Sequence, residues 1–249
     1  MLEVPEPPEK SRKRQIAEKF GEVVIASVPY AGGGLAVIYT EVLGAKFRKR
    51  QQEWARQVTE ALADLSSRIE GLTPESLAKN EEFLDVLAQA SEDAAKTGQE
   101  AKREALRNAV LNAALASDVD ADQQALLLRH LRDFTPTHLR LLRLLSDPPA
   151  WYDQAGISWP AGYTGSLTGS LTGLVDLGIP ELANRRDMAD QLMGDLARAG
   201  LTNTSGLGGM MTVEGLKAKR TTPAGDAFLR FITDPRSESS GDEQSDAPN

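Results

Sequence analysis

The stretch Ala45-Lys-Phe-Arg-Lys-Arg-Gln-Gln-Glu-Trp-Ala-Arg-Gln-Val-Thr-Glu-Ala-Leu-Ala-Asp-Leu-Ser-Ser-Arg-Ile-Glu70 decides the fold class. Phe47, Trp54, Val58, Leu62, Leu65 and Ile69 follow one another at steps of seven, four and three. That spacing draws a single apolar stripe on a helix and leaves charge on the opposite face. Gly71 then suits the left-handed residue that closes a helix. Thr73-Pro74 opens the next, with a capping hydroxyl followed by a residue whose missing N–H has no intrahelical role in the first turn. The same device returns at Thr135-Pro136 and Thr222-Pro223, which fixes three helix starts.

Working outward, helical periodicity predicts helices over 74–96 (Leu77, Phe83, Leu84, Leu87), 99–116 (Leu106, Ala109, Val110, Ala113), 121–134 (Leu127, Leu131, Phe134) and 136–146. The last of these is stopped by Asp147-Pro148-Pro149. A short helix is expected from the basic run Lys10-Ser-Arg-Lys-Arg14 to about Phe20. Another is expected over 185–199, closed by Gly200, and a final one follows Thr222-Pro223. The glycines at 206, 208, 209 and 215 suggest a β-hairpin with strands at 209–213 and 217–221.

Aromatic residues are only 5% of the chain, while Leu and Ala abound, a balance that favours aliphatic helix packing over a β-sandwich. There is no cysteine, which excludes disulfides and thiolate chemistry. Met1 to Pro8 lacks a basic run followed by an apolar one, so no secretory signal is expected there. The net charge of −8 argues against a protein that coats nucleic acid without regard to sequence. Residues 1–10 and the Ser/Asp/Glu-rich stretch 235–249 hold too little apolar surface to fold and are expected to be disordered.

One segment departs from this pattern. Val23 to Thr40 carries no charged side chain and contains Pro29 and Gly32-Gly33-Gly34, and Lys46, Arg48, Lys49 and Arg50 follow it. Its 18 residues are short for a spanning helix, so the membrane reading is an interfacial or re-entrant hairpin within 22–44. Val24, Ile25, Val28, Leu35, Val37 and Ile38 are then the candidate membrane or oligomer contacts. The competing reading is a buried helix-turn-helix, bent tightly at the triple glycine. A second unusual run, Thr164 to Gly173, repeats Thr-Gly-Ser-Leu. Gly165, Gly169 and Gly173 would form one row on a helix and favour a close helix contact; the alternative is a flexible surface insertion.

Two parts of the sequence resemble known families. Asp195-Leu-Ala-Arg-Ala-Gly-Leu-Thr202 and Thr221-Thr-Pro-Ala-Gly-Asp-Ala-Phe-Leu-Arg-Phe-Ile232 resemble the third helix and the post-wing stretch of winged-helix domains. Glu104-Ala-Leu-Arg-Asn-Ala-Val-Leu-Asn-Ala-Ala-Leu115, followed by Leu131-Arg-Asp-Phe-Thr-Pro-Thr-His-Leu-Arg-Leu-Leu142, is similar to the Abi-alpha family of bacterial abortive-infection proteins and to related bacterial helical proteins. In that pattern a helix with spaced asparagines, here Asn108 and Asn112, precedes the winged helix. The resemblance implies a mainly α fold: a helical region at 11–135, then a winged-helix-like domain at 136–234 with a small β-hairpin. It brings no established chemistry with it.

The residues point the same way. His130 and His138 have no metal-ligand spacing. The trio Asp118, Asp120 and Asp122 lacks the glycine and distal glutamate of a calcium loop, and Gly206-Leu-Gly-Gly209 does not open a helix as a dinucleotide-binding turn must. Gly165-Ser-Leu-Thr-Gly169 sets its serine one place too early for a nucleophile elbow. No catalytic, cofactor or metal residue is expected. The expected function is that of a non-enzymatic bacterial interaction protein of the phage-defence type. It would be cytoplasmic, with peripheral attachment at the inner face of the membrane left open, and would meet a protein partner, itself or a membrane. The alternative is a winged-helix DNA-binding regulator, with Arg185 and Arg186 at a helix start and Lys217, Lys219 and Arg220 on the wing as its phosphate contacts.

Overall fold

A computed structural model describes residues 12–27, 40–115, 121–159 and 169–238. The protein is mainly helical, with one small two-stranded antiparallel ribbon among the described residues. Its contacts divide the chain into two compact units: residues 1–128 together with 232–249, and residues 129–231. The first boundary therefore falls within a helix, seven residues before the Thr135-Pro136 start that the sequence suggests. The segment from Ile232 onward returns to the first unit.

The first unit is built on α1 (Arg12–Ser27), α2 (Thr40–Ser66), α3 (Pro74–Leu77), α4 (Glu81–Lys96) and α5 (Glu100–Leu115). Four boundaries differ from the expectation, one being the end of α2, which stops at Ser66 with turns over 67–71 where a helix to Glu70 is expected. α1 does not stop near Phe20 but runs on to Ser27, because Phe20 and Val24 are both fully buried one turn apart. α2 begins five residues before Ala45. The helix expected over 74–96 is two, since Asn80 leaves the helical region and its side chain accepts from Phe83 N at 3.0 Å, capping α4. Thr73 caps α3 as expected: its hydroxyl accepts from Ser76 N, and Thr73 N donates back to Ser76 Oγ, both at 3.0 Å.

α2 packs on α1, α4 and α5, and α4 packs on α5. The shared core includes Phe20, Trp54, Val58, Leu62, Leu65, Phe83, Leu87, Leu106 and Val110. Trp54 buries its ring and donates its indole N–H to Arg103 O at 3.4 Å. Asn108 and Asn112 hold the returning C-terminal segment: their amides donate to Ile232 O at 3.1 Å and Thr233 O at 2.8 Å. A short helix, α13 (Pro235–Glu238), follows and packs on α5. The tail expected to be disordered from residue 235 thus starts as structure. The reason is local: Arg236 donates to Asp234 at 2.6 Å and lies 3.8 Å from Asp64.

α6 (Ala121–Asp133) crosses the unit boundary. The second unit continues with α7 (Pro136–Ser146), α8 (Pro148–Ala155), β1 (Gly169–Ser170), α9 (Leu171–Gly178), a 3-10 turn at Pro180–Leu182, α10 (Arg186–Arg198), β2 (Met210–Met211), α11 (Val213–Lys217) and α12 (Pro223–Phe231). α7 is its centre; Leu141, Leu142, Leu144 and Leu145 are fully buried, and α8, α9, α10 and α12 all touch it. Asp147-Pro148-Pro149 ends α7 but also starts α8, since Asp147 accepts from Ala150 N at 3.0 Å and proline is welcome in a first turn.

The ribbon is not the one the glycines suggested. Met210 pairs with Ser170 and Met211 with Gly169, while 213–217 is helical, capped by Thr212 accepting from Gly215 N. Thr221 forms a single antiparallel bridge with Thr202. Gly165 lies outside the described residues, and Gly169 and Gly173 fall in a strand and a helix, so the glycine row does not form on one helix. Gly225 has a packing role: a β-carbon there would stand 2.2 Å from Leu201 O, so only glycine lets α12 approach that backbone. Phe228, three residues on, is fully buried and meets Phe134 edge-on with ring centroids 5.9 Å apart.

Candidate functional site

α2 is one helix with two different surroundings. From Trp54 on, buried residues recur at helical spacing: Trp54, Val58, Ala61, Leu62 and Leu65. Before Trp54, among the described residues from Ala45 onward, none is buried. Ala45, Phe47, Arg48 and Lys49 are all exposed, and Phe47 and Ala45 stand on roughly opposite sides of the helix. A helix packed in a bundle would bury one side of every turn, so this end of α2 is not covered by the unit that holds its other end. Landmarks agree: Trp54 is level with Arg103, one turn into α5, and the Arg50 guanidinium lies against Gly98 in the turn between α4 and α5. Residues before Arg50 run past that turn.

The chemistry of this end is mixed. Phe47 is 44% exposed, and the Arg50 guanidinium sits over its ring, 5.7 Å from the centroid. Between Thr40 and Arg50 the sequence holds four cations, Lys46, Arg48, Lys49 and Arg50, and one acid, Glu41. The basic run before the uncharged segment does not join this group. Because α1 is a continuous helix of 16 residues, Arg12–Arg14 stand about 20 Å along the axis from Ser27. The cationic collar comes from α2 alone. Of the six apolar candidates, Val24 is buried and Ile25 belongs to α1; Val28, Leu35, Val37 and Ile38 lie outside the described residues. No helix among the described residues is long and apolar enough to cross a membrane.

The five basic candidates of the second unit are largely engaged. Arg186 pairs with Asp190 at 2.8 Å and also donates to the Thr172 hydroxyl. Lys219 pairs with Asp226 at 2.5 Å, and Arg220 donates to Gly215 O and meets Met211 Sδ at 3.0 Å. Lys217 lies over the Trp159 ring, 5.7 Å from its centroid, and Arg185 is exposed just ahead of α10. Residues 129–231 hold eleven Lys and Arg against ten Asp and Glu, so the unit is close to neutral as a whole. Although burial opposes it, hydrogen bonds from Lys219 and Thr221 and the Lys219 charge hold the Asp226 carboxyl below the usual range.

The histidines serve the fold. His138 Nδ1 accepts from Thr135 N at 3.1 Å, closing the cap of α7, and its Nε2 lies 3.3 Å from Asp195 Oδ2. The rings of His130, Phe134 and His138 stack in sequence, with centroid separations of 5.6 and 4.9 Å. Burial, with help from Arg129, pushes His130 below its ordinary pKa. No group of metal-ligating residues occurs among the described residues. A cleft of about 400 Å³ opens between α4 and α6, walled by Glu82, Asp85 and Glu92 over Val86 and Leu128.

Sequence periodicity alone did not find the free end of α2, because Phe47 fits the apolar stripe as well as Trp54 does. The discriminating signal is the run of cations around it. No protein-family model, curated protein or solved structure matches the chain.

Proposed function

We propose that this chain is a non-enzymatic interaction protein that works through the uncovered end of α2. The observation that carries the reading is the exposure of Ala45, Phe47, Arg48 and Lys49 on a helix whose other half is core. What sets Phe47 apart from the other exposed apolar residues is its setting among cations, and an aromatic ring beside arginine is a pairing enriched at contact surfaces. The winged-helix reading of residues 136–234 fits the same picture as a second docking module, supported by the α7, α9, α10 order, the Thr202–Thr221 bridge and the Gly225 approach. The setting in phage defence rests on the resemblance of 104–142 to abortive-infection proteins.

The absence of cysteine makes the surface easy to test. Phe47→Cys, labelled with an environment-sensitive dye, reports a blue shift when the α2 end is covered, whereas the same dye at the exposed Met210 (Met210→Cys) does not. A label at 47 that stays in water at high protein concentration, with vesicles and in cell extract would overturn the reading. Expressed in a bacterial host, the wild-type chain lowers phage plaque formation and Phe47→Asp does not; equal plaque counts would remove the defence setting alone.

A further inference from the structure

We infer that the partner met by the α2 end is an anionic lipid surface; this rests on the interaction reading above. The exposed side chains are of two kinds: an aromatic ring, Phe47, and cations on the other sides of the same turn, Arg48 and Lys49, with Arg50 folded over the ring. A protein interface on a helix presents one apolar face with charge at its rim, because a partner approaches from one side. Here, among the described residues, the helix is exposed both on the side of Phe47 and on the opposite side at Ala45 and Lys49, and the charged side chains at this turn are cations. That distribution suits a fluid boundary that closes around the helix end. Phosphate groups would meet the guanidinium and ammonium groups while the ring enters between headgroups.

The sequence on the N-terminal side of this end agrees, since no charged side chain occurs from Val23 to Thr40. A cluster of cations within ten residues of an uncharged stretch, here Lys46 to Arg50 beyond Glu41, is an arrangement that anionic leaflets attract. The opposing groups are few. Glu41 shares the α2 end, and Glu22 is the nearest acid on α1, five residues before Ser27. The carboxylates of the α4 and α6 cleft lie on the bundle itself.

The test is co-sedimentation of the full-length chain with vesicles of phosphatidylglycerol and phosphatidylcholine mixed equally, and with pure phosphatidylcholine vesicles, at low salt and at 0.5 M salt. Circular dichroism confirms that each variant is folded. The expected result is binding to the anionic vesicles only, weakened by salt. Arg48→Ala/Lys49→Ala lowers the partition constant at least tenfold, since each cation near such a surface contributes roughly fivefold. Phe47→Ala lowers it several-fold. Binding that ignores the double substitution, or equal binding to both vesicle types, overturns the lipid assignment. So does a wild-type chain that stays in the supernatant; light scattering then decides the rest. An oligomer that Phe47→Asp dissociates keeps the interaction surface and names a second copy as its partner. A monomer unchanged by Phe47→Asp, with the label at 47 always in water, removes both readings.

Discussion

The two halves of α2 share a helix, a hydrophobic period and an aromatic anchor each, yet Trp54 is 1% exposed and Phe47 is 44% exposed. The difference lies in what surrounds them. Trp54 meets α5 and hands its N–H to Arg103, while Phe47 lies under the Arg50 guanidinium of its own helix. An apolar residue on the right period is therefore evidence of a helix face but not of burial. Whether the face is core depends on how far the neighbouring helices reach.

The comparison can be broken most directly at its buried member. Trp54→Ala should destabilise the first unit by about 3–5 kcal/mol, through lost transfer energy and the cavity left behind, read as a lowered denaturant midpoint. Gly225→Ala should come next, at about 2–3 kcal/mol, because the new methyl meets the Leu201 carbonyl and the backbone must move. It lies far from α2 in sequence and sharpens the contrast: at a temperature where the variant is folded, vesicle binding stays at the wild-type level.

A pH dependence follows from His130. Its folded pKa is depressed by burial, so the unfolded chain binds the proton more readily. Stability is then full above about pH 6.5 and falls as pH drops below that value toward the depressed folded pKa. Thermal melts between about pH 7 and pH 5 should show this decline, and His130→Gln should flatten it while leaving lipid binding at pH 7 unchanged. The smallest effect belongs to the exposed member of the pair. Phe47→Ala should change the midpoint by less than about 0.5 kcal/mol, as expected for a surface position, while its effect on vesicle binding is several-fold. A large loss of stability from Phe47→Ala would mean that the α2 end is core after all.

Much of the fold was legible because helices announce themselves locally. The three Thr-Pro starts and the apolar stripe of 54–65 depend on residues within a turn or two of each other, whereas the stop expected at Gly71 comes at Ser66. The hairpin at 209–221 was misread because glycine permits a turn without requiring one; Thr212 capping Gly215 N makes the segment helical, and the strand partner of Met210 is Ser170, forty residues earlier. The asparagines of α5 were noticed, but their task was not. Their partners, the carbonyls of Ile232 and Thr233, lie more than a hundred residues away.

By itself the amino-acid sequence determined the helical class, the principal helix starts and the absence of thiol chemistry, since these rest on period, capping and composition. Only the tertiary structure decided which aromatic of α2 is core, which cations of the second unit are already paired, and that the chain returns from Ile232 to its first unit. Those outcomes depend on contacts between residues far apart in the chain, and no local pattern records them.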